Sequence, residues 1–188
     1  TFNLLRDFIQ WILKLFAGSD SNGALKKSGT LMSRMVKDQT IPLNSDIYEY
    51  GIEQFRGNFD DILSMCKKSG VPVIISTLTS NLRDQPPFVS LKVNGLPEAK
   101  DVFNQAQSKL NDSTEALKDF IYAKDLDGLR FRAPEKINDI IIDYSKKYNL
   151  PLADIDSVFN SVSPYGITGD NLMTDHLHPT FDGYKLIG

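Results

Sequence analysis

Apolar positions along this chain alternate between a helical period and short continuous runs. Leu4, Leu5, Phe8, Ile9, Ile12, Leu15 and Phe16 recur at three and four, with Trp11 beside the stripe. That spacing predicts an amphipathic helix over residues 2–16, packed on the domain. Arg6, Asp7 and Lys14 interrupt it, and it is too short to cross a bilayer; its apolar face also has the character of a lipid-seeking helix. Residues 17–29, rich in Gly, Ser, Asp and Asn, form a flexible connection. Leu31 to Val36 suggest a short helix, broken at Ile41-Pro42-Leu43-Asn44.

The strongest helical pattern follows. Tyr48, Ile52, Phe55, Phe59, Ile62, Leu63 and Cys66 share one stripe behind an N-cap at Ser45, with Asp46 and Glu49 in the first turn. Lys67 and Lys68 close it, and Gly70 suits the left-handed position after the helix. Val71 to Thr77 is a β-branched run directly after that glycine, which predicts a buried parallel strand with Pro72 near its first residue. The polar stretch Thr79 to Pro87 then lies at the strand's carboxyl end, the edge where open α/β sheets bind ligands.

Residues 88–96 suggest a short extended segment with a turn at Asn94-Gly95. Two helices are expected near 97–110 and 113–124, with Asp112 and Glu115 spaced as a capping box. Their stripe (Phe103, Ala106, Leu110, then Ala116, Leu117, Phe120, Ala123) resembles one helical-repeat hairpin, here an insertion over about 97–130 that covers the site. Pro134 is placed at the first position of a further helix, whose stripe is Ile137, Ile140, Ile141, Tyr144 and Tyr148. Leu152 to Asp156 predicts a second buried strand, with Val158 and Phe159 running on into a turn. This alternation implies an α/β fold with a parallel sheet, in one domain over 1–188.

At 188 residues, 41% apolar and 24% charged, the chain has the composition of an ordinary globular domain. A net charge of −3 provides no basic footprint for nucleic acid. The one cysteine, Cys66, excludes an intrachain disulfide and is expected to be a buried small hydrophobe. The first residue is Thr1, already within a helical pattern, which suggests an excised piece of a longer protein. Any signal peptide or anchor would lie upstream, so the compartment is not fixed by these residues.

Candidate chemistry is concentrated at the other end, in Asp175-His176-Leu177-His178-Pro179-Thr180-Phe181-Asp182-Gly183-Tyr184. Both histidines of the chain are here. Asp175 and His178 stand as Asp-x-x-His, a spacing that lets one turn hold a carboxylate against Nδ1–H and leave Nε2 as a base. His176 is expected to be structural. Asp175, His176 and His178 could instead ligate zinc, but no further ligands cluster with them. Asn81 and Arg132 are candidates for substrate contact, the latter with Arg130 as an anion or carbohydrate clamp; structural pairing with carboxylates is the competing reading of both arginines.

The terminal block resembles the last motif of the SGNH (GDSL-like) hydrolases, in which the histidine is the base and the aspartate three residues earlier orients it. Val71 to Asn81 is similar to that family's fourth strand and following loop, and Ala153 to Asp156 to the strand before its final loop. The fit spans roughly 45–188 and is nearest to bacterial members with helical-repeat segments. It implies a three-layer α/β/α flavodoxin-like fold, with the N-terminal strands missing here. It also implies an ester hydrolase acting on an acylated carbohydrate or lipid, with no metal or organic cofactor. The Gly-Asp-Ser block and oxyanion donors of the family have no counterpart. Gly18-Ser19-Asp20-Ser21 scrambles the order after a helix, so Ser19 and Ser21 are assigned as loop serines and not as nucleophiles. The nucleophile would come from the missing N-terminal part, and this piece alone would be inactive. Alternatively, bare strand edges would pair with a second copy. A non-catalytic accessory module and an O-acyltransferase using the same residues are the competing functions.

Overall fold

The computed structural model describes residues 40–188, which fall within one compact unit. The expected helix at 2–16, the connection at 17–29, the short helix at 31–36 and Ser19 and Ser21 lie outside the described residues.

Helix α1 (Asp46–Lys68) begins where the sequence indicates, with the Ser45 side chain accepting from the Tyr48 amide at 3.3 Å. It ends in a Schellman motif. Val71 N–H reaches back to Cys66 O at 3.0 Å, and Gly70 N–H donates to Lys67 O at 3.2 Å. Gly70 has φ +66, a conformation in which a side chain is strained. Tyr48, Ile52 and Leu63 are buried, whereas Ile62 is 57% exposed and Cys66 only half-buried. The expected stripe is therefore narrower than its spacing, and Cys66 is not the core residue anticipated.

Strand β1 (Ile75–Ser76) pairs in parallel with a later strand β2 (Leu152–Ala153), Ile75 opposite Leu152 and Ser76 opposite Ala153. Both are shorter than the runs predicted over 71–77 and 152–156. Among the described residues each strand has only the other as a neighbour, and Ile74 is 74% exposed. At the far end of β2 the reason is chemical. Asp154 caps a helix, accepting from Ser157 N–H at 3.3 Å and Ser157 Oγ at 2.7 Å, so Ile155, Asp156, Val158 and Phe159 are helical. Beyond β1, the Asn138 side chain takes the place of a neighbouring strand. Its Oδ1 accepts from Leu78 N–H at 2.8 Å and its Nδ2 donates to Leu78 O at 2.9 Å.

Between the strands run α2 (Ala99–Ser108), α3 (Ser113–Leu126) and α4 (Glu135–Tyr148); after β2 come α5 (Ile155–Val162) and α6 (Phe181–Ile187). Residues 88–96 form no strand, but the Asn94-Gly95 turn is present, with Gly95 at φ +82. Only half of the capping box forms at α3. Asp112 accepts from Glu115 N–H at 3.3 Å, while the Glu115 carboxylate pairs with Lys118 at 2.7 Å. Pro134 stands one position earlier than expected, as the N-cap of α4.

Two apolar clusters organise the unit. One joins α1 and α4 to β1 through Tyr48, Ile52, Leu63, Ile75, Ile140 and Ile141. The other packs the α2–α3 hairpin through Phe103, Ala106, Ala116, Phe120 and Ala123 onto Leu82 and Ile167. The hairpin thus backs the loops that follow β1 and α5. Among the described residues no helix is long and apolar enough to cross a membrane.

Candidate active site

The site is built on a closed loop between α5 and α6. Residues 172–174 and 178–180 form a short antiparallel ladder. Thr174 N–H donates to His178 O at 2.8 Å, Thr180 N–H to Leu172 O at 2.8 Å, and Met173 bridges Pro179. Thr174 Oγ1 adds a second bond to His178 O at 2.9 Å. Below, Phe159, Leu172 and Met173 form a buried cluster. Gly183 of α6 lies against it. A Cβ there would come within 2.5 Å of Leu172 O and 2.9 Å of the Pro179 ring, so only glycine lets α6 seat this closely.

Within that loop the Asp175 carboxylate has two tasks. Its Oδ1 accepts from the Leu177 and His178 amides, each at 2.9 Å, which shapes the turn. Its Oδ2 faces His178 Nδ1 at 2.8 Å. A carboxylate only accepts, so Nδ1 carries the proton and Nε2 holds the free lone pair of the neutral ring. Nε2 has no hydrogen-bond partner among the described residues, and the His178 side chain is 62% exposed. The Leu177 amide contributes most to holding Asp175 charged, followed by the His178 amide and ring. Against burial, they push its pKa down to about 2.

This anchoring has a measurable consequence. The carboxyl carbon of Asp175 is expected to titrate near pH 2, not near the usual ~3.9. Because the folded pKa is depressed, the contribution of Asp175 to loop stability is present above about pH 4 and is lost as the pH falls through about 2. A carbon-detected NMR titration measures this directly; a midpoint close to 4 would mean that the turn does not form in solution.

His176 turns away from this pair. Its Nε2 donates to Pro86 O at 3.1 Å, its ring stacks on Phe88 with centroids 3.8 Å apart, and burial lowers its pKa. Its own carbonyl accepts from Asn81 N–H at 3.0 Å. His176 therefore ties the Asp175–His178 loop to the loop after β1. Asp175, His176 and His178 do not converge on one point, and among the described residues no group of three or more His, Cys, Asp or Glu side chains is placed to hold a metal ion.

Asn81 and Arg132 are internal. Asn81 is fully buried; it donates to Asp170 Oδ1 at 2.7 Å and accepts from Asp84 N–H at 3.0 Å. Arg132, 4% exposed, pairs with Asp127 at 3.5 Å and donates to the carbonyls of Asn81 and Gln85 at 2.9 and 3.2 Å. Both position the loop that His176 leans on, and for Arg132 the carboxylate pairing is the structural alternative that its sequence already offered. Arg130 is likewise engaged inside, donating to Ile41 O at 3.1 Å and lying 4.9 Å over the Tyr48 ring.

Three further residues hold the site and were not legible in advance. Asp127, 1% exposed, accepts from the amides of Phe88 at 2.8 Å, Val89 at 2.9 Å and Leu129 at 3.1 Å. Arg83 and Asp84 form a 2.7 Å ion pair that clamps the segment before the site. Arg83 donates to Pro164 O at 3.0 Å, and Asp84 accepts from Asp170 N–H at 2.8 Å. Gly169 passes so close to this pair that a Cβ would run into both side chains. No spacing announces such partners, which stand more than eighty residues apart in the case of Asp84 and Asp170.

Comparison with protein-family models, with characterised proteins and with solved structures finds no match to this chain.

Proposed function

We propose that Asp175 and His178 are the orienting acid and general base of a serine-dependent ester hydrolase, with the nucleophilic hydroxyl supplied from outside residues 40–188. The observation that carries this reading is the 2.8 Å Oδ2···Nδ1 contact, with the carboxylate fixed by two amides and Nε2 left open. An imidazole held in one tautomer beside solvent has the properties of a proton acceptor for a hydroxyl.

In this mechanism His178 Nε2 takes the serine proton as Oγ attacks the acyl carbonyl. The imidazolium is stabilised by Asp175 and then protonates the departing alcohol. Water, deprotonated by the same Nε2, releases the acid and restores the serine. The parallel β1–β2 pair, with helices as its crossover, supports assigning the unit to a three-layer α/β/α sheet of the flavodoxin type. The substrate class assigned is an acylated carbohydrate or lipid.

Labelling of the full-length protein with a fluorophosphonate tests the reading. One serine outside residues 40–188 is expected to be modified, with labelling suppressed by His178→Ala. Absence of any His178-dependent serine adduct would overturn it.

A further inference from the structure

One cavity stands beside the Asp175–His178 loop. It measures about 270 Å³ and is lined by Leu78, Thr79, Ser80, Phe131, Ala133 and Leu177. Its walls come from three separate stretches. Residues 78–80 leave the carboxyl end of β1, where α/β sheets take ligands. Phe131 and Ala133 precede α4. Leu177 belongs to the site loop itself, and the next residue is His178. Four of the six lining side chains are apolar, and no charged side chain is among them.

The larger apolar cleft, about 500 Å³ between the end of α1 and the residues before the strands, is lined by Leu63, Val71, Ile74 and Pro151 and not by the site loop. It therefore has no tie to the chemistry. The smaller cleft does, and its shape is held. Asn138 clamps Leu78 by two bonds of 2.8 and 2.9 Å, and Phe131 packs edge-on to Phe88, which stacks on His176. Thr79 Oγ1 is buried there without a hydrogen bond among the described residues.

We infer that this cleft receives the aliphatic acyl chain of the ester, and that it favours a chain of several carbons over acetate. The inference rests on the hydrolase reading for the word ester. Apolar walls that include Leu177, the residue before the base, suit the part of the substrate that stays in contact with the enzyme after the alcohol leaves. A volume below the roughly 300–1,000 Å³ of pockets for drug-sized ligands suits a chain of a few carbons. Burying methylenes at about 0.8 kcal/mol each corresponds to about fourfold in affinity per carbon until the cleft is filled.

The test uses the ¹⁵N-labelled chain carrying His178→Ala, titrated with methyl acetate and with methyl hexanoate. The expected result is a shift of the Leu78, Thr79, Ser80 and Leu177 amides, with hexanoate bound at least tenfold more tightly. Ala133→Leu, which fills the cleft, should remove that preference. Leu78→Ala, at a side chain 48% exposed, should weaken it without unfolding the protein. Equal affinity for the two esters, or shifts elsewhere, would overturn the inference. Ester turnover by the full-length protein reports separately on the hydrolase reading. If hexanoate binds here and no His178-dependent turnover exists, the cleft stands as an aliphatic site and the hydrolase reading falls. If turnover exists with a chain-length preference that Ala133→Leu leaves unchanged, the hydrolase stands and the cleft assignment falls.

Discussion

His178→Ala is expected to lower kcat for p-nitrophenyl acetate hydrolysis by the full-length protein by about 10⁴- to 10⁶-fold, with little change in melting temperature. The activity effect is large because no other described imidazole substitutes for it. His176 is turned to Pro86 O and stacked on Phe88. The stability effect is small because the ring is 62% exposed and its one polar contact is with Asp175, itself half-exposed. Such surface pairs contribute about 0–1 kcal/mol, and Asp175 keeps both amide bonds in the variant. Added imidazole should restore part of the rate to the alanine variant, since the truncation opens a space beside the carboxylate. Unaltered turnover in the variant would remove His178 from the chemistry.

The largest effect on stability is expected at Asp127. Asp127→Ala should destabilise the fold by about 3–5 kcal/mol, the range for breaking a buried ion pair by removing one partner. The carboxylate is 1% exposed and serves three backbone amides as well as Arg132. Its loss would strand a guanidinium that burial already disfavours and whose Nε has no partner among the described residues. The orphaned Phe88 and Val89 amides would free the loop under His176. Urea denaturation gives the free energy, and the His176 ring resonance reports the loop. Replacing both partners, Asp127→Ala with Arg132→Met, should recover part of the loss because no buried charge then remains unpaired. A loss below about 1 kcal/mol in the single variant would mean that the pair is solvated.

Local features of the fold were legible because their physics is local. The Ser45 cap, the Schellman ending at Gly70, the α4 stripe and the strand in the β-branched run after Gly70 follow from neighbours within a turn or from a continuous apolar run. The Asp175–His178 contact spans three residues and is of the same kind. Strand length was not legible, since the Asp154 cap ends β2 and the Asn138 amide takes over from a strand beyond β1. Asn138 did carry a signal, an amide side chain next to Ile137 on a helix whose stripe is built of isoleucine and tyrosine. The burial of Arg132 and Asn81 was not legible, because it is decided by tertiary packing. Asp127 makes its contacts with Phe88 and Val89 across a long insertion. The half-formed capping box shows the same competition at short range, where Lys118 draws Glu115 away from the Asp112 amide.

The central claim is that Asp175 and His178 act as one catalytic unit, and a double-mutant cycle on ester turnover by the full-length protein tests it most directly. Asp175→Asn should lower kcat by about 10⁴-fold, because an amide favours the wrong imidazole tautomer. Combining it with His178→Ala should add almost nothing to the histidine variant alone. That non-additivity is the result predicted by the 2.8 Å contact. Losses that multiply, or an asparagine variant as active as the wild type, would contradict it.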